Sequence, residues 1–148
     1  MPGRKVHTAA GAVAGGAYAY YKARAERDFD RLVETGAGIA SGALAGCMPD
    51  MLEPAVTPNH RGLAHSMVAG YAVTAVKLDN WSSYCRERAE HFRQLQLHPT
   101  VEPIRRLLYW FAEMFWRLAA GCLNGLQAGY ASHLALDLLT PRSLPLVA

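Results

Sequence analysis

The sequence predicts an all-α protein, a single-domain bundle of about five helices, and three observations carry that prediction. Sustained period-2 alternation is absent, and no Asn-Gly or Asp-Gly pair joins two apolar runs, so nothing signals strands or hairpins. Long Ala- and Gly-rich stretches carry small residues at helical spacing, as at Gly38, Gly42 and Gly46. Prolines gather at the borders of those stretches, at Pro49, Pro54, Pro58, Pro99, Pro103 and Pro141. At 148 residues the chain is long enough to bury a core as one domain, residues 1–148, without disulfides.

In order, the first helix is expected from about Thr8 to Arg27, with Thr8 as its cap and glycines permitting close approach of another helix. The second runs from Asp28 to about Met48 and opens on acidic residues, as the helix dipole favours. Pro49 to Asn59 reads as a loop. A third helix is expected from near Arg61 to about Val76, with Asn59 as cap. Leu78 to Trp81 reads as a turn, and Ser82 to about Gln96 as a charged amphipathic helix. From Val101, with Pro103 in the first turn, the helical pattern reaches about Leu139, and Gly121, Gly125 and Gly129 are places where it can loosen.

Composition narrows the function classes. Net charge is +3, and basic residues alternate with acidic ones, as in Arg86-Glu87-Arg88-Ala89-Glu90. That alternation reads as solvated helix faces and excludes a nucleic-acid stripe. Hydrophobic residues make up 51% of the chain and mean hydropathy is +0.01. The longest charge-free stretch lies between Arg117 and Asp137 and contains Asn124, Gln127, Ser132 and His133. Such helices fit a buried core or rest against a membrane. Arg4 and Lys5 precede an Ala/Gly-rich run that lacks the Leu or Ile of a signal peptide and is not read as one. Cys47, Cys85 and Cys122 are odd in number and far apart, and read as small buried hydrophobes.

The polar residues that stand out are few. His133 and Asp137 lie four apart on one predicted helix face, where they either grip an ion or bond each other. Their neighbours are apolar, and a buried carboxylate there needs a cation or several donors. His60 and His65 flank Gly62 at a predicted helix start. They point to one centre if His60 precedes the first turn, and otherwise one of them is a satisfied core histidine. Arg61 between them is free to pair a carboxylate or a phosphate. Asp50, at the end of the second helix, opposes that helix's dipole unless a cation compensates it. Glu53 reads as a surface residue of the same loop, and His7 alone as an exposed helix-end histidine. His91 and His98 read as solvent-facing. Trp110, Phe111, Phe115 and Trp116 read as core or as a membrane-facing surface.

Read together, these segments resemble a known family. His60-Arg61-Gly62-Leu63-Ala64-His65-Ser66 is similar to the His-Arg-Gly-x-Thr-His-Ser signature of the YdjM-like proteins. Pro49-Asp50 resembles that family's Leu-Pro-Asp-x-Asp segment. The run from Gly129 to Pro141 resembles its Gly-Tyr-x-Ser-His-x-x-x-Asp-x-x-Thr-Pro ending. His7 with Gly11 falls where members carry an N-terminal histidine. Leu52 stands in place of the family's second acidic residue, with Glu53 one position on, and Ala64 replaces the signature threonine.

The resemblance implies an inner-membrane-associated, LexA-binding, metal-dependent hydrolase. It implies metal ligands at His7, Asp50, His60, His65, His133 and Asp137. Imidazoles and carboxylates without thiolates suit zinc, with manganese or iron as alternatives, as one ion or two. The expected chemistry is attack of a metal-activated water on an ester or phosphoester, a lipid-derived one included. Asp50 or Glu53 would take the proton, Arg61 would face developing charge, and Ser66 would orient a ligand or the substrate. The alternative is a membrane-surface or partner-binding helical protein with a purely structural metal. A site facing the cytoplasm from the inner membrane is expected, with a soluble cytoplasmic protein as the alternative. A homo-oligomer through the Gly/Ala-rich helices is a further expectation, and no nucleic-acid partner is.

Overall fold

In a computed structural model, residues 3–52 and 77–139 are described. Among them lie four helices and no strand: α1 Arg4–Lys22, α2 Asp28–Leu52, α3 Leu78–Leu97 and α4 Pro103–Leu138. The all-α class is as expected, with four helices described against five foreseen. The remaining one, from about Arg61 to Val76, lies outside the described residues.

Several boundaries differ from expectation, each for a local reason. Gly3 takes the extended N-cap position of α1, so the helix begins before Thr8. Thr8 then sits inside it and donates its hydroxyl back to the Arg4 carbonyl at 2.9 Å instead of capping. The expected loop at Pro49 is helix as far as Leu52. A proline inside a helix costs about 3 kcal/mol, and here the ring is fully buried, so packing offsets the loss. The turn expected at Leu78–Trp81 is helix and joins α3, and the chain instead takes a left-handed conformation at Lys77, at φ 44°. α4 runs unbroken past its three glycines for 36 residues.

The reason lies in three rows of residues spaced by four, which place side chains on one face of each helix. In α1 the row is His7, Gly11, Gly15, Ala19. In α2 it is Asp30, Glu34, Gly38, Gly42, Gly46, Asp50. In α4 it is Glu113, Arg117, Gly121, Gly125, Gly129, His133, Asp137. Every member is buried except Asp50, which is partly so. The rows touch backbone to backbone. A Cβ added at Gly42 would lie 2.3 Å from the Gly11 carbonyl oxygen and 2.9 Å from the Gly15 Cα. One added at Gly129 would lie 2.3 Å from the Gly42 carbonyl oxygen. Contacts of Gly38 with Gly125, Gly42 with Gly129 and Gly46 with His133 keep a constant separation of 87 positions, so α2 and α4 run parallel. α1 runs antiparallel to α2, with Gly11 on Gly42 and Gly46, and Gly15 on Gly38. α3 packs on α4, where Tyr84 meets Trp116 edge to face at 6.0 Å.

At one end of these rows the sequence expectation of solvated charges fails. Arg117 is fully buried. Its Nη1 donates to Glu26 at 2.5 Å and to Glu34 at 3.3 Å, and its Nη2 lies 3.3 Å from Asp30 and 3.8 Å from Glu90. Arg27 joins Asp30 at 2.7 Å to Glu113 at 2.5 Å. Arg86 from α3 donates to Glu34 at 2.8 Å, and Arg93 reaches Glu90 at 3.1 Å. Five carboxylates thus face four guanidinium groups. Burial pushes the carboxyls of Glu34 and Glu113 above their ordinary value, against the opposing pull of the arginines. At Glu90 burial again pushes upward, but hydrogen bonds from Gln94 and Arg93 together with the charges of Arg93 and Arg117 hold the carboxyl below its ordinary value.

Large apolar side chains sit mostly on the outside. The largest fully buried side chains include Arg117, His7, His133, Glu34, Glu113 and Asn124, whereas Phe29, Leu32, Leu44, Trp81, Phe111 and Phe115 are exposed. Small or polar residues inside and bulky apolar ones outside is the arrangement of helices that pack in lipid. Among the described residues, however, no helix is long and apolar enough to cross a membrane.

Two outcomes are expected. Gly42→Ala overpacks the backbone contact and should cost about 1–3 kcal/mol of unfolding free energy. Gly36→Ala, where an added Cβ meets nothing within 4 Å, should be neutral or stabilise by about 0.4–1 kcal/mol. Urea titration separates the two. For the ion network, a raised carboxyl pKa contributes stability that is present below the ordinary value and is lost as pH rises through the raised one. Glu113→Gln keeps the shape without the charge, so its stability relative to wild type should grow as pH rises from the ordinary carboxylate range toward neutrality. Glu34→Ala, which removes the carboxylate bonded to Arg86 and one of those facing Arg117, should cost about 3–5 kcal/mol. Denaturant midpoints across that pH range check both.

Candidate metal centre

The opposite end of the same rows gathers the polar residues that the sequence singled out. His7 stands in the first turns of α1, Asp50 in the last turn of α2, and His133 and Asp137 one turn apart near the end of α4. Continuation of α2 through Pro49 brings Asp50 onto the row of Gly46, and so beside His133. From Glu34 to Asp50 the row rises about 24 Å, with only glycines at the row positions between them.

The geometry is close. His7 Nε2 lies 3.5 Å from Asp137 Oδ1, and His133 Nε2 lies 3.6 Å from Asp137 Oδ2 and 3.8 Å from Asp50 Oδ1. The two imidazole rings sit 4.0 Å apart, tilted by 30°. One ligand atom from each of His7, Asp50 and His133 falls within 4.8 Å of the others. His7, His133 and Asp137 are buried, whereas the Asp50 side chain is 29% exposed and forms the open side.

The protonation of His133 follows from its neighbours. Its Nδ1 is 2.8 Å from the Gly46 carbonyl oxygen. A carbonyl can only accept, so Nδ1 carries the proton and donates it, leaving Nε2 turned toward the carboxylates. Burial pushes the imidazolium below its ordinary pKa and favours the neutral ring, the form that ligates metals.

Charge at this end favours a cation. α2 and α4 are parallel, so both present their C-terminal, negative dipole ends here, together with the carboxylates of Asp50 and Asp137. Against them, among the described residues, stand the N-terminus of α1 and two imidazoles. A buried carboxylate at the ends of two dipoles is costly unless a positive charge is shared with it. The donor set of imidazoles and carboxylates suits zinc, manganese or iron. His7, Asp50 and His133 therefore fit a divalent ion on chemistry and placement alike, and Asp137 lies beside both histidines.

The expected site residues divide cleanly. The fold brings together His7, Asp50, His133 and Asp137. Glu53, His60, Arg61, His65 and Ser66 lie outside the described residues. His91 and His98 are exposed, as expected, and so are Trp110, Phe111 and Phe115. Cys47 and Cys85 are buried free thiols and Cys122 is partly buried. His7, which alone reads as a surface residue, is 2% exposed. The signal that places it is its distance of four from Gly11 at the head of the α1 row. Sequence reasoning missed the Gly46 carbonyl as the group that orients His133.

Fold and site together define an all-helical protein with a buried His/Asp group able to hold a metal ion. The whole chain, residues 1–148, matches the family described as YdjM inner membrane protein, and the chain belongs to that family. No curated protein and no solved structure matches it.

The site predicts a graded mutational response. His133→Ala and His7→Ala should each lower affinity for Zn²⁺ by well over tenfold, whereas His91→Ala, on an exposed face, should leave it unchanged. Because the ligands must be deprotonated, affinity should also fall with acidification. Isothermal titration of the chelator-stripped protein with Zn²⁺ at several pH values is the measurement.

Proposed function

We propose that the protein is a metal-dependent hydrolase acting on an ester or phosphoester, with a lipid-derived substrate as the favoured class. The observation that carries this reading is the pairing of three buried ligand residues with one, Asp50, that opens to solvent. A closed set of four protein ligands suits a structural ion, whereas an accessible position suits a catalytic one. His7, Asp50, His133 and Asp137 would hold the ion, and the family resemblance adds His60 and His65. When bound, such an ion supplies a water of lowered pKa and a Lewis-acid contact for the substrate oxygen. Of the chain's own groups, Asp50 would take a proton at its carboxylate, with Glu53 as the alternative. Arg61 is assigned to the developing negative charge and Ser66 to orientation of a ligand or the substrate. Zinc is the favoured metal, and the count is one ion or two.

A second reading is supported by the outward-facing apolar side chains: a membrane-surface or partner-binding protein in which the metal only ties three helix ends together. In either reading we place the protein at the inner membrane, with the site on the cytoplasmic side.

The test is direct. Protein purified without chelator is assayed for metal by mass spectrometry and for turnover of chromogenic phosphodiesters and short- and long-chain esters. The hydrolase reading expects bound metal and turnover that is lost with chelator, restored by Zn²⁺ or Mn²⁺, and abolished in His133→Ala. Bound metal without turnover, together with a melting temperature that falls on chelation, supports the structural reading. A ligand present at a hundred times its Kd adds about 2.7 kcal/mol of stability, which such a scan resolves. A folded, metal-free protein that is indifferent to His133→Ala would sink both.

A further inference from the structure

The first half of α4 carries a second periodicity on the side opposite its buried row. Ile104, Leu108, Phe111, Phe115 and Leu118 are spaced by four, three, four and three, a repeat of 3.5 residues sustained over four turns. All five are exposed, from 47% at Leu118 to 62% at Phe115. Val101 before them and Cys122 after them continue the spacing and are partly buried. The inward row on the same helix, through Glu113, Arg117 and Gly121, repeats every four residues, so the two patterns serve different partners.

A 3.5-residue repeat keeps a narrow seam straight along a gently supercoiled helix, and it is the spacing that a second helix reads through knobs and holes. Lipid asks for no such register, because an acyl surface accepts apolar side chains anywhere on a wide arc. Ala112 and Ala119 flank the seam and are small enough for another helix to come close, while Leu107 broadens its start. We infer that this seam joins two copies of the chain through antiparallel pairing of their α4 helices.

Self-pairing is favoured by the pattern itself. About a two-fold axis at Phe111, Ile104 meets Leu118, Leu108 meets Phe115, and Phe111 meets its own counterpart, so aliphatic ends pair around an aromatic centre. The exposed cations Arg105 and Arg106 sit at one end only, and antiparallel pairing carries the two sets apart where parallel pairing would stack them. The five side chains leave roughly 500–600 Å² uncovered per copy; with their flanks this approaches the ~800 Å² per partner of a standard interface.

The test uses the full chain carrying Cys122→Ser, whose remaining cysteines are buried. Phe111→Cys should cross-link to itself under mild oxidation. Ile104→Cys alone should not, but a mixture of Ile104→Cys and Leu118→Cys chains should. Light scattering should give twice the chain mass for wild type and half that value for Phe115→Glu, with helical circular dichroism unchanged. Self-cross-linking of Ile104→Cys in preference to Phe111→Cys would overturn the antiparallel pairing. A monomeric wild type in buffer and in mild detergent would overturn the dimer. Loss of flotation with phosphatidylglycerol/phosphatidylethanolamine vesicles in Phe115→Glu, at unchanged mass, would assign the seam to lipid instead.

Discussion

Where Gly42 meets Gly11, two helices touch main chain to main chain, and a single added methyl would lie 2.3 Å from a carbonyl oxygen. Contacts of this kind fix the helix spacing without any side chain between. What remains of each row must then sit at its ends, because the middle holds nothing larger than glycine. The four-residue spacing therefore does two things at once. It sets the distance between helices, and it sorts the chain's polar groups into a buried ion network at Arg117 and a His/Asp group at His133.

Packing through backbone leaves little room inside for bulky apolar residues. Most of them face outward, and the interior is occupied largely by glycine, alanine and charge, with Tyr130 and Leu134 packed on Ala45. In water such a surface is a liability, which is why the apolar outside belongs with the family's description as an inner membrane protein. Among the described residues no helix is long and apolar enough to cross a membrane.

The helical class was legible because helical spacing and missing strand signals are properties of neighbouring residues. So was the His133–Asp137 pair, set by one turn of one helix. Gly38, Gly42 and Gly46 announced close packing, and the dipole argument singled out Asp50. Less was visible where distant segments decide. Pro49 ends a helix on local grounds, yet packing against α1 and α4 carries α2 past it. Glu34, Glu113 and Arg117 look like surface charges until they are read as the next steps of the glycine rows, outward from Gly38 and Gly121. His7 joins the site only through its position on the α1 row. Glu53, His60, Arg61, His65 and Ser66 were picked out by motif, and lie outside the described residues.

Parallel pairing of α2 with α4 also sets how far along the chain their contacts must reach. α1 and α2 are joined by a short turn and pair as neighbours, so their contact closes a small loop. α4 must find α2 across 87 positions of chain, at a greater entropic cost and therefore later. The candidate ligands span residue 7 to residue 137, so the His/Asp group depends on contacts between segments far apart in the chain. A single helix of the chain offers at most the His133–Asp137 pair, and the complete set comes together only when three helices pack.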